Sequence, residues 1–257
     1  MELREWAIRI LSADTLEEKL ICPEILTDQN PGEALTFNEP VRPVGMGFNK
    51  RTKEQKLPHF QNLGKEENRA VCLHRFAGHE LLAVEIMAHS LVAFPTAPKS
   101  FRKGIAHTLK EEQGHVRLYM ARMNEMGLNF GDLPLFKHFW NHVPFITNPA
   151  EYVSAMSLTF EQANLDFAPL YGKSFASFGD EKSAALMAQI LKDEINHVSF
   201  GYRWLNQLKG EENSWDYWVS NLNPKLGPKR AKGFVVMEDN RRKAGIPEDW
   251  IEKLKQA

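Results

Sequence analysis

Glu112-x-x-His115 and Glu194-x-x-His197 repeat one chemical phrase, and a further glutamate in an apolar setting precedes each, Glu80 and Glu161. The spacing from Glu80 to Glu112 differs by a single residue from the spacing between Glu161 and Glu194. Residues i and i+3 of an α-helix differ by about 60° in azimuth and about 4.5 Å in rise, so both heads of each phrase can reach one point. Four carboxylates and two imidazoles in this register form the ligand set of a two-metal site inside a four-helix bundle. In a charged chain with nine histidines, Glu-x-x-His arises roughly once by chance, so a single copy would mean little. Its duplication at matched spacing carries the reading.

The elements that must position these residues are legible around them. An antiparallel hairpin brings together residues equidistant from its turn. Glu80 and Glu112 flank Phe94-Pro95-Thr96-Ala97-Pro98, whose prolines interrupt a helix; Glu161 and Glu194 flank Ser177-Phe178-Gly179-Asp180, another turn signal. Four long helices follow: from about Glu66 to Phe94, from near Pro98, from Pro149 with Asn148 as N-cap and Glu151 at the third position, and from just after Asp180. In the first, Glu80 interrupts the apolar stripe Phe76, Ala83, Met87 and Leu91; in the third, Glu161 lies in the stripe Leu158, Leu165 and Ala168. The segment from His79 to Glu85 aligns with that from Phe160 to Asp166, acid under acid at two positions, and Glu111–Val116 aligns with Asp193–Val198. The hairpins read as pseudo-symmetric halves of one bundle.

Taken singly, each of these residues has an ordinary reading, a solvated helix glutamate or a hydrogen-bonded core histidine. Four carboxylates on apolar faces resist it, because burying each costs several kcal/mol unless it is compensated. Two divalent cations supply the compensation. Oxygen-rich ligation with one imidazole per metal suits two iron ions, with manganese or a mixed iron–manganese pair as the alternative. Glu112 and Glu194 are central and are expected to bridge as the catalytic carboxylates. Glu80 with His115 would complete one position, and Glu161 with His197 the other. Glu111 and Asp193 are candidates to accept the free ring N–H of a ligand histidine on the opposite motif helix. Glu85 and Asp166, five residues beyond Glu80 and Glu161, lie about 140° away and are excluded as ligands.

The paired motifs resemble the ferritin-like di-iron carboxylate superfamily, which includes bacterioferritin, rubrerythrin and the carboxylate-bridged oxygenases. More closely, His79-Glu80-x-x-Ala83-x-Glu85, Phe94-Pro95-x-Ala97-Pro98, the run from Met156 to Asp166 and Asp193-Glu194-x-x-His197-Val198 resemble a bacterial ferritin-like family of unassigned function. The likeness extends to Leu3–Ala7 and Asp14–Lys19. It implies a fold and a metal site but no particular substrate.

The expected architecture is therefore all-α: an N-terminal helix and extended arm over 1–65, a ferritin-like four-helix bundle with a di-metal centre over 66–208, and a C-terminal tail over 209–257 that packs on the bundle. A net charge of −1 signals neither a general polyanion partner nor a membrane, no apolar stretch reaches span length, and the first residues read as an amphipathic helix. Two cysteines are too few for a disulfide framework and fit a cytoplasmic protein. Phe136, Phe139, Trp140 and Phe145 offer an apolar cover between the hairpins. His138 and His142 share helical spacing, but such pairs are more often surface or core histidines. Lys225, Lys229, Arg230 and Lys232 read as a solvated loop, and a nucleotide or RNA partner there has no other support.

These residues favour an oxygen-activating oxidoreductase, taking O2, a small or anionic organic substrate and an electron donor, with Tyr119, Tyr152 and Tyr202 as possible electron relays. Two alternatives use the same ligands. One is a ferroxidase, iron-handling or peroxide-reducing protein; the other is a non-enzymatic binding scaffold stapled by metal. The long arm and tail favour the first reading, since iron storage needs neither.

Overall fold

The computed structural model describes residues 1–50, 52 and 56–257, and among these every extended element is helical; the only ladder pairings are isolated bridges, Glu2 with Thr27 and Phe48 with Leu135. The part of the expected arm at 51 and 53–55 lies outside the described residues. The chain divides into two compact units, Met1–Val143 and Pro144–Ala257. Each contains one hairpin and one appended segment.

In the first unit, α1 (Leu3–Ser12) buries Leu3, Trp6, Ala7, Ile10 and Leu11, the spacing of one helix face. It packs against α3, and the short α2 (Leu16–Lys19) follows it. Helices α3 (Glu66–Ala93) and α4 (Lys99–Glu125) form the predicted hairpin around Pro95 and Pro98. Arg102 on α4 fastens the turn. Its guanidinium donates to the Leu91 and Phe94 carbonyls at 2.7 and 3.0 Å, and it pairs with buried Asp28 of the arm. Those carbonyls have no partner within their own helix, so Arg102 does the work of a C-cap.

The arm is fixed along α3 by polar contacts. Leu35 N–H donates to the Val92 carbonyl at 3.0 Å, and Trp140 Nε1–H donates to the Asn38 carbonyl at 2.7 Å. Glu85, fully buried, pairs with Lys19 at 3.0 Å and with Arg42. Helix α3 is long and apolar enough to cross a membrane, which corrects the expectation that no segment reaches span length. Yet 83% of its most apolar stretch is buried, as in the core helix of a folded domain.

In the second unit, Asn148 caps α5 (Pro149–Ala155) as expected, its side chain accepting from the Ala150 and Glu151 N–H groups. Glu151 reaches one residue further back than a capping box requires, accepting from Thr147 N–H at 2.7 Å. The third helix is not continuous. Met156–Glu161 widens into a π-helical segment before α6 (Gln162–Ser177) resumes the ordinary pitch. The turn to α7 (Glu181–Leu208) is a Schellman motif: Asp180 N–H donates to Phe175 O and Gly179 N–H to Ala176 O, with Gly179 at φ 79°. Asp180 then caps α7 through Ser183 N–H.

The tail adds α8 (Ser214–Ser220), α9 (Glu238–Lys243) and α10 (Glu248–Gln256). Trp218 and Trp250 stack with ring centroids 4.9 Å apart, and Trp215 meets both edge-on. Of the basic run, Lys225 sits over the exposed Phe145 ring at 5.8 Å and Lys232 donates to the Lys255 carbonyl. Cys22 and Cys72 are free thiols, and burial pushes the Cys72 thiol up to about 12.

Candidate metal centre

The first unit brings Glu80, Glu112 and His115 together. All three are buried, and one ligand atom from each lies within 4.8 Å of the others. Glu80 comes from the middle of α3; Glu112 and His115 come from one face of α4, with His115 Nδ1 3.0 Å from Glu112 Oε2. The hairpin register set by the Phe94–Pro98 turn is what levels Glu80 with Glu112.

The second unit holds Glu161, Glu194 and His197, also buried. A ligand atom of Glu161 lies within 4.8 Å of one from His197, and His197 Nδ1 lies 3.6 Å from Glu194 Oε2. Glu161 is the last residue of the π-helical segment. Such segments recur at functional sites because one extra residue per turn rotates everything beyond it. Side-chain donors also reach carbonyls in and just before this segment. Ser154 O accepts from Thr159 Oγ1 at 2.7 Å and from Trp218 Nε1 at 3.1 Å, while Leu158 O accepts from Gln162 Nε2 at 2.8 Å. Gly201 of α7 lies against the segment so closely that a Cβ there would meet Ser157 Cβ at 2.2 Å. The spacing rules gave no sign of the π segment; a glycine among the core residues of α7 was its one trace.

The excluded acids have a different task, and the internal repeat preserves it. Glu85 anchors the arm through Lys19 and Arg42. At the equivalent position Asp166 anchors the tail: both its oxygens take Arg241, at 2.6 and 2.9 Å, and they also accept from the Gly233 and Met237 N–H groups. Pro169 leaves the Leu165 carbonyl without its helical donor, and Asn240 Nδ2 supplies one at 2.9 Å. Glu111 and Asp193 bond along their own helices, to His107 at 3.4 Å and Gln189 at 2.8 Å. His138 packs edge-on against His79 and Phe139. Tyr119 is buried beside Phe76, and Tyr202 meets Trp250 edge-on.

Each unit offers two carboxylates and one imidazole in a buried setting, a hard, oxygen-rich donor set that could hold a divalent cation. Crowded carboxylates repel one another, and a cation among them removes that cost.

Residues 6–252 match the family described as "Protein of unknown function (DUF455)". The chain belongs to that family. The chain is also similar to an uncharacterized protein of Haemophilus influenzae, 24% identical over 209 residues, covering 76% of this chain and 72% of the relative. No solved structure matches the chain. The six residues of the two groups all fall within the DUF455 match.

Proposed function

We propose that this chain is a ferritin-like di-metal carboxylate protein, its two hairpins forming a four-helix bundle around a pair of iron ions, and that it acts as an oxygen-activating oxidoreductase. The observation that carries the reading is the duplication of a buried Glu/Glu/His group at equivalent places in two hairpins. Glu80, Glu112 and His115 would hold one cation and Glu161, Glu194 and His197 the other, with Glu112 and Glu194 bridging. The chemistry that such a pair supplies when bound is reduction of dioxygen coupled to oxidation of an organic substrate. The protein's own part is to bury the ligands, exclude bulk water and fix each imidazole beside its carboxylate. The anchored arm and tail support an oxidoreductase over an iron store, because both are tied by buried ion pairs to the helices that carry Glu80 and Glu161.

The test is elemental analysis of protein purified without added metal, followed by ferrous oxidation under oxygen. Two iron or manganese ions per chain, lost in the Glu112→Ala and Glu194→Ala proteins, would support the metal assignment. Consumption of oxygen that rises with an organic co-substrate would support the oxidoreductase. A stoichiometric burst of iron oxidation by a large multi-subunit shell would instead identify iron handling. Absence of bound or bindable metal would overturn the proposal.

A further inference from the structure

Asn164 lies on α6, one turn past Glu161, and its Nδ2 donates to Glu194 Oε1 at 2.8 Å. The amide must be oriented this way, since its oxygen would face an acceptor. The bond fixes the carboxylate plane and leaves Oε2, the oxygen 3.6 Å from His197 Nδ1, turned toward the imidazole. In the internal repeat Asn164 aligns with Ala83, whose methyl group cannot donate. The two motif glutamates are equivalent by sequence pattern but not by this contact.

We propose that Asn164 is a positioning residue that holds Glu194 in one orientation before metal arrives. The inference rests on the di-metal reading above. A carboxylate already fixed by an amide loses less freedom on ligation, and its Oε1 is less available to change binding mode. Partners of this kind, lying behind a ligand, typically change metal affinity 10–100-fold when removed.

The experiment is a titration of metal-free protein with Mn2+, reading free Mn2+ by its electron paramagnetic resonance signal. Wild-type protein is expected to take up two equivalents. Asn164→Ala and the near-isosteric Asn164→Leu should each weaken Mn2+ uptake about 10–100-fold. Agreement between the two variants separates the hydrogen bond from packing, and melting curves of the metal-free variants check that the fold is kept. Variants that bind Mn2+ as the wild type does would overturn the assignment of Asn164. Wild-type protein that takes up no Mn2+ would overturn the di-metal reading itself, and this inference with it.

Discussion

His74 and His89 lie on α3 on either side of Glu80, both buried, and burial pushes each imidazole down to about 4. Each is therefore held neutral near pH 7. His74 Nε2 accepts from the Gly131 and Leu133 N–H groups at 3.1 and 3.4 Å, a role only the unprotonated nitrogen can fill. His89 meets the Trp140 ring edge-on at 5.8 Å. Unfolded, both would titrate near 6.5. Between about 6.5 and 4 the unfolded chain binds protons that the folded chain refuses, so stability is full above that window and falls as pH drops through it. The loss reaches up to about 3 kcal/mol for each histidine. Urea midpoints of metal-free protein at successive pH values measure it. His89→Phe should keep the contact with Trp140 and make the decline shallower by about one proton's slope. An unchanged slope in that variant would assign the pH dependence to other groups. His74→Phe should cost additional stability at every pH, because it strips the acceptor from two loop N–H groups.

At the scale of elements, the π-helical segment and the two buried acids decide how the hairpins are held. Gly201→Ala would drive a methyl group into Ser157, and overpacking of this sort costs about 1–3 kcal/mol. Ser157→Gly in the same chain removes the colliding atom and should recover most of that loss, a coupling that thermal unfolding of the double variant checks. Arg241→Met would leave Asp166 buried without its guanidinium. The expected cost is about 3–5 kcal/mol, read as a lower urea midpoint, with the tail opening before the hairpin. These are also the features that spacing rules could not give. Glu80, Glu112, His115, Glu161, Glu194 and His197 were legible because helical periodicity and two proline- or glycine-marked turns fix depth and azimuth from sequence alone. The π segment was not, because nothing local in Met156–Glu161 asks for it; Gly201, distant in sequence, makes room for it. Glu85 and Asp166 were set apart by azimuth, yet their ion-pair partners are distant in sequence. Lys19 ends α2, Arg42 belongs to the arm and Arg241 lies on α9, and only tertiary structure brings them in.

For the whole molecule, the proposed pair of cations predicts a link between metal and folding that neither hairpin shows separately. Metal that binds the folded chain and not the unfolded one stabilises it by about 2.7 kcal/mol per position when free metal stands 100-fold above the dissociation constant. At this chain length each kcal/mol corresponds to roughly 2–4 °C of unfolding temperature. Chelation should therefore lower the unfolding temperature by at least about 5 °C, and a Glu112→Ala/Glu194→Ala chain should not respond to chelator. A second comparison tells a shared pair from two independent sites. If each Glu/Glu/His group bound its own cation alone, disabling one by Glu80→Ala with His115→Ala would leave the other's affinity for Mn2+ intact. If Glu112 and Glu194 both bridge, the remaining cation keeps its own ligands and has the shared carboxylates, with all their charge, to itself. The surviving equivalent should then bind at least about tenfold more tightly than the weaker equivalent of the wild type, since no second cation repels it, and the reciprocal pair, Glu161→Ala with His197→Ala, should do the same to its counterpart. Unchanged affinity in both double variants would separate the two halves and sink the bridging roles of Glu112 and Glu194, while leaving two mononuclear sites in place.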